Sequence, residues 1–143
     1  MQAEKVYFDA EGQVVGRLAS RVAKEALKGK SVFIVNAEKA VITGSKEFVI
    51  KFFREKVERG DPYHGPFYPR IPDRMLRRII RGMLPYKKPK GKEAFKRVKV
   101  YNSVPETLSG ANLISPGEAG KSARKKFMTL GELSQRMGAK KTW

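Results

Sequence analysis

Arg74, Arg77, Arg78 and Arg81 recur along one segment, Asp73-Arg-Met-Leu-Arg-Arg-Ile-Ile-Arg-Gly-Met-Leu-Pro85. Each guanidinium is a planar fork that can give two parallel hydrogen bonds to phosphate oxygens. Met75, Leu76, Ile79, Ile80 and Met83 alternate with them at helical spacing, so one helix face can enter a core while the other presents cations. The chemistry offered is recognition of a polyphosphate backbone. A solvated surface helix is the plainer reading, but such helices mix signs and gain from i,i+4 pairs. Here the single acid sits at the start, so like charges lie one turn apart.

The surrounding residues extend the pattern. From Arg70 to Lys99 there are twelve Lys or Arg against two acids, Asp73 and Glu93. Lys87, Lys88, Lys90 and Lys92 form a basic loop after Pro85, and Lys121, Arg124, Lys125 and Lys126 a second basic patch. Before the arginine row, Arg59–Pro72 carries four prolines and two glycines, which favours a stiff extended loop. Its Tyr63, His64, Phe67 and Tyr68, followed by Arg70, supply ring and guanidinium planes that stack on unpaired bases. Any one of these aromatics could equally pin the loop to the core.

Catalysis and metal binding find little support. There are no cysteines and His64 is the one histidine, so disulfides, thiolate sites and zinc sites are not expected. Asp9, Glu38, Asp61 and Asp73 are scattered, each with a turn or cap role, and no nucleophile–base–acid set can be assembled. Gly29-Lys30-Ser31 fails as a phosphate loop because Lys24 stands where its first glycine belongs and a strand follows. No cofactor, small-molecule substrate or enzymatic activity is expected.

At 143 residues with 41% apolar side chains, the chain suits one domain with a true core. Its formal charge of +17 would self-repel without a polyanion. That charge is unevenly placed: net +2 over residues 1–50 (eight bases, six acids), +11 over 51–100 (sixteen, five) and +4 over 101–143 (seven, three). No apolar run reaches the ~18 residues of a membrane span, and the N-terminus lacks signal-peptide order. A cytoplasmic protein without membrane or self-association partners is expected.

The elements that must position the cations follow from periodicity. Val6–Ala10 reads as a strand, Gly16–Lys28 as a helix, Ser31–Asn36 as a covered strand and Ala40–Thr43 as a short one. Ser45 caps a helix whose stripe is Phe48, Val49, Phe52, Phe53 and Val57. Asp73 is expected to cap the arginine helix, and a short helical turn precedes a last strand, Arg97–Tyr101. Residues 106–122 read as irregular, and Thr129-Leu-Gly-Glu132 has capping-box spacing for a C-terminal helix near 129–138. Alternating strands and helices predict an α/β domain with a mainly parallel sheet. One domain spans 1–143, with a core near 5–104 and a basic extension near 105–128.

Several segments together resemble one known family. Val15-Gly-Arg-Leu-Ala-Ser20, Val35-Asn-Ala-Glu38, Ile42-Thr-Gly44, Arg77-Arg-Ile-Ile-Arg-Gly-Met-Leu-Pro85 and Gly91-Lys92 with Val100-Tyr101 occur in the order seen in the thirteenth protein of the large ribosomal subunit. The form resembled is the archaeal and eukaryotic one, from about Val6 to Val104, and Thr129–Glu132 is similar to the archaeal tail. Residues 106–122 match nothing in it. The resemblance implies a three-layer α/β/α domain around a four-stranded, mostly parallel sheet. It also implies a structural protein that binds large-subunit (23S-type) rRNA directly, joins early in assembly and has other ribosomal proteins as neighbours. Carried onto this chain, the contact surface is the Tyr63–Arg70 loop, Arg74, Arg77, Arg78, Arg81 and the Lys87–Lys92 loop, with Arg17 and Arg21 as additions. The arginine row is expected to be dispensable for folding.

Rival readings are a nucleoid-type DNA binder and an RNA-modifying enzyme. The first lacks helix-turn-helix spacing or dimerising heptads, and the second lacks a site. Leu76→Asp places a charge on the proposed core stripe and should cost several kcal/mol, about 3 or more. A thermal melt identical to the parent chain would mean that the helix faces the other way.

Overall fold

A computed structural model of the chain describes residues 4–58, 69–108 and 127–141. Three strands, β1 (Lys5–Asp9), β2 (Ser31–Val35) and β4 (Val98–Val100), form a parallel sheet in the order β1-β2-β4. Val6 pairs with Val32 and Val32 with Val98, then Phe8 with Ile34 and Ile34 with Val100. The period of two therefore turns these six side chains to one face. Tyr7, Phe33 and Lys99 turn to the other, where the two rings stack with centroids 5.2 Å apart.

Helix α1 (Val15–Leu27) connects β1 to β2, and α3 (Pro72–Gly82) and α4 (Pro89–Lys96) precede β4. Successive right-handed crossovers that advance in one direction across a sheet leave their helices on the same side. Accordingly α1 packs on both α3 and α4. Leu18, Val22, Ile34, Met75, Leu76, Ile80 and Val98 form the centre of one core, all fully buried. Arg97 Nη1 donates to the Ala26 carbonyl at 2.7 Å, clamping β4 to the end of α1.

The α/β class is as expected, but the sheet is smaller than the resemblance implied. β3 (Val41–Thr43) does not join it as a fourth full strand. It touches the β1 side only through the Val14–Val41 bridge and pairs antiparallel with β5 (Phe127–Thr129). β5 spans the end of the expected basic extension and the first residue of the expected C-terminal helix; its three residues are too few to display a period. Among the described residues no helix is long and apolar enough to cross a membrane.

Other local expectations change as well. Ile71, not Asp73, is the N-cap of α3, with Pro72 at the first helical position, where its missing N–H costs nothing. Asp73 Oδ1 instead accepts from the Arg74 amide at 2.8 Å. Along α2 (Lys46–Glu58), Val49 and Phe53 are buried, but Phe48 is 66% and Phe52 45% exposed. α5 (Leu130–Arg136) does begin at a capped Thr129, whose Oγ1 accepts from the Glu132 amide at 3.2 Å.

Polar side chains tie the loops at the carboxyl ends of the strands. Glu38, buried, accepts from the Ser103 amide at 2.8 Å and its hydroxyl at 3.2 Å. Asn36 sits in the left-handed region at φ 57°, which its short amide tolerates, and donates to Asp9 Oδ1 at 3.0 Å.

At the other end, Lys30 Nζ lies 2.9 Å from Glu25 and 3.8 Å from Glu4, and Lys28 Nζ 3.5 Å from Glu25. The Lys30 hydrogen bond, opposed by partial burial, holds the Glu25 carboxyl below its ordinary value. The same bond raises Lys30. A depressed carboxylate stabilises the fold above its unfolded value and ceases to as pH falls through the folded one. Glu25→Gln should therefore lower the melting temperature at neutral pH, with a deficit that disappears in acid strong enough to protonate the folded carboxyl as well. An equal deficit at both pH values would remove the ion pair as its cause.

Candidate nucleic-acid interface

α3 turns its stripe inward as its spacing requires: Met75, Leu76 and Ile80 are fully buried and Ile79 half-buried. Met83, expected on that stripe, is 42% exposed, and Leu84 is buried in its place because the helix ends at Gly82 and the chain changes direction. The arginines are thereby forced to the opposite face, but they do not form a uniform row.

Arg77 is drawn into the fold. Its Nε donates to the Val98 carbonyl at 3.4 Å and its Nη2 to the Phe95 carbonyl at 3.5 Å, with the guanidinium carbon 4.0 Å from the Phe95 ring centroid. Phe95 meets Tyr86 edge-on at 5.5 Å, and Tyr86 in turn carries the Arg81 guanidinium 4.0 Å from its centroid. Arg77–Phe95–Tyr86–Arg81 is thus one continuous stack binding α3, the turn and α4 together. Arg77 is a positioning residue, so the expectation that the whole row is dispensable for folding is corrected.

Arg74, Arg78 and Arg81 make no side-chain hydrogen bond or ion pair with the described residues. Arg81 is held by its π-face contact, which leaves its N–H groups free to donate. Arg78 and Arg81 line a groove of about 540 Å³ with Gly82, Leu84, Pro85, Tyr86, Lys87 and Lys88. Four cations converge there with no acid among the described residues that line it.

The lysines are not all on a loop, as the sequence suggested. α4 begins at Pro89, so Lys90 and Lys92 project from its first turn, where no acid is present and Lys88 is the N-cap. Cations beside the positive end of a helix dipole are mutually unfavourable, and an anion there relieves both. All four lysines are exposed. α4 can lie this close only because residue 91 is glycine: a Cβ there would stand 1.9 Å from the Pro85 carbonyl oxygen.

Other candidates are placed elsewhere or lie outside the described residues. Arg17 is exposed on α1, and Arg21 borders a separate depression with Ser20, Lys24, Glu25 and Lys28; neither lines the groove. Arg70 is exposed, and its carbonyl accepts from the buried Ser134 hydroxyl of α5. Tyr63, His64, Phe67, Tyr68, Lys121, Arg124, Lys125 and Lys126 fall outside the described residues. Sequence reasoning missed Tyr86 and Phe95 as the supports of Arg81 and Arg77. Two aromatics set within a lysine- and arginine-rich stretch were the available signal. Among the described residues there is no metal-ligating cluster.

Comparison with known proteins follows the same line. The family model described as ribosomal protein L13 matches residues 3–107. Large ribosomal subunit protein uL13 of Methanocaldococcus jannaschii is 52% identical over 137 residues, covering 93% of this chain and 97% of that protein. Its counterpart in Methanosarcina barkeri is 49% identical, covering 93% and 97%, and that in Methanopyrus kandleri 45%, covering 94% and 87%.

Gly91→Ala should destabilise the protein by about 1–3 kcal/mol, since backbone rather than a flexible side chain occupies the space. The prediction fails if chemical denaturation gives an unchanged midpoint.

Proposed function

The chain belongs to the ribosomal protein L13 family, a family of structural large-subunit proteins rather than enzymes, and from that premise we propose that it binds large-subunit rRNA directly and stabilises its fold early in assembly. Its location is the cytoplasmic ribosome. The observation that carries the proposal is the acid-free groove between α3 and α4, where Arg78, Arg81, Lys87 and Lys88 converge.

Docking is electrostatic first. Lys and Arg displace condensed counterions from RNA phosphates, which gives affinity that falls with salt. Geometry then selects. Arg81, fixed over Tyr86, loses little freedom when it grips a phosphate, and the packed domain holds the groove rigid. Phosphate contacts set register, while shape and unpaired bases supply discrimination. The Tyr63–Tyr68 segment and the Lys121–Lys126 patch are proposed to add stacking and charge. By binding one rRNA conformation better than its alternatives, the protein shifts the RNA toward that conformation.

Arg78→Gln with Arg81→Gln, leaving Arg77 intact, should keep the fold and cost only the Arg81–Tyr86 contact, about 0.5–1 kcal/mol. Filter binding to a large-subunit rRNA fragment should show a slope of log affinity against log salt shallower by roughly 1.5. An unchanged slope removes this groove from the interface, and equal competition by duplex DNA removes the RNA reading.

A further inference from the structure

We infer that the α3–α4 groove is a pocket for a single unpaired nucleotide, whose base lies on the Arg81 guanidinium while the phosphates beside it meet Arg78, Lys87 and Lys88. This pocket presupposes the rRNA binding proposed above and specifies what enters the groove.

A phosphate backbone alone does not account for the shape. Contact with phosphate needs only exposed cations, whereas this groove is a concavity of about 540 Å³, within the size range of sites that bury a small molecule. Leu84, Pro85 and Tyr86 line it beside the cations. A phosphate leaves that apolar surface unmatched, and the face of a base covers it. Four cations, with no acid among the described lining residues, call for an occupant that is also anionic. A nucleotide joins both properties in one unit, and an apolar protein side chain does not.

Arg81 supplies the stacking surface. Its guanidinium carbon stands 4.0 Å over the Tyr86 centroid, so the ring backs one side of the plane. Tyr86 is itself steadied by Phe95, edge-on at 5.5 Å. Unpaired bases of folded RNA stack on guanidinium planes as well as on aromatic rings. The N–H groups lie in that plane and stay available to a phosphate at its edge.

Gly82 is an independent sign that the space is used. It closes α3 and lines the groove, yet nothing within the fold calls for glycine there. Its φ is outside the left-handed region, and among the described residues a Cβ would meet no atom within 4 Å. Gly91 differs, because backbone excludes a side chain from that position. Glycine in a helix loses more conformational freedom on folding than alanine does. With no gain to the fold from that loss, Gly82 serves to keep the groove open.

The first arm of the test fills the space. Gly82→Leu in the full chain leaves every cation in place, so it should melt no lower than the parent and keep the parent's slope of log affinity against log salt. At one fixed salt its affinity for a large-subunit rRNA fragment should nevertheless fall about tenfold, the scale of one lost base stack. Unchanged affinity overturns the pocket and leaves rRNA binding standing. Failure of the parent chain to bind the fragment removes rRNA binding and the pocket with it.

The second arm removes the base, and it decides the matter if Gly82→Leu melts lower than the parent. A benzophenone side chain replacing Lys87, in the chain assembled into large subunits and irradiated, locates the nearest nucleotide. That nucleotide should be unpaired by chemical probing. Making it abasic in the fragment should weaken binding of the parent about tenfold. The same change should weaken Arg81→Lys, which keeps the charge without the plane, by no more than about twofold. A crosslink confined to paired nucleotides or to protein overturns the inference, as does absence of any product. An abasic site that weakens both chains equally, or neither, also overturns it.

Discussion

Burial of Met75, Leu76 and Ile80 against α1 and the sheet is the constraint on which the rest of the molecule turns. Each fully buried side chain of this kind contributes about 1.5–3 kcal/mol relative to exposure. That apolar gain fixes the rotation of α3 about its own axis, and so leaves its arginines nowhere to go but outward. Like charges one turn apart oppose the helix by only a few tenths of a kcal/mol per pair, about 0.2–0.5. The core therefore wins, and the protein keeps a cationic face that the isolated chain has no use for.

A second layer of interactions turns this face into a shaped site. Arg77 is tethered to the carbonyls of Phe95 and Val98, and the ring chain through Phe95 and Tyr86 ends under Arg81. The α4 backbone is brought against Pro85 through Gly91. One arginine is thus consumed in building the wall, another is aimed by it, and Arg78 with the lysines completes the cluster. For the proposed rRNA interface this matters because contact with a folded RNA is selective only if the cations are held at set positions beforehand.

The surface is divided in a way that suits a protein embedded in a ribonucleoprotein particle. The acid-free groove lies at the α3–α4 turn, whereas α2 offers near-neutral charge and exposed rings.

The amino-acid order by itself determined the α/β alternation, the axis and stripe of α3, the capped start of α5 and the cationic middle third, because helical and strand periods and net charge are local quantities. It could not say that β3 would pair with a three-residue strand some eighty-five positions later, since so short a segment has no period to read. Nor could it separate Arg77 from Arg78 and Arg81, or Val49 and Phe53 from Phe48 and Phe52. A helical wheel gives angles around one axis but not which neighbour stands at each angle. Those choices belong to tertiary packing: Phe95 and the β4 carbonyls lie beside Arg77, and nothing in the described chain covers the outer rings of α2.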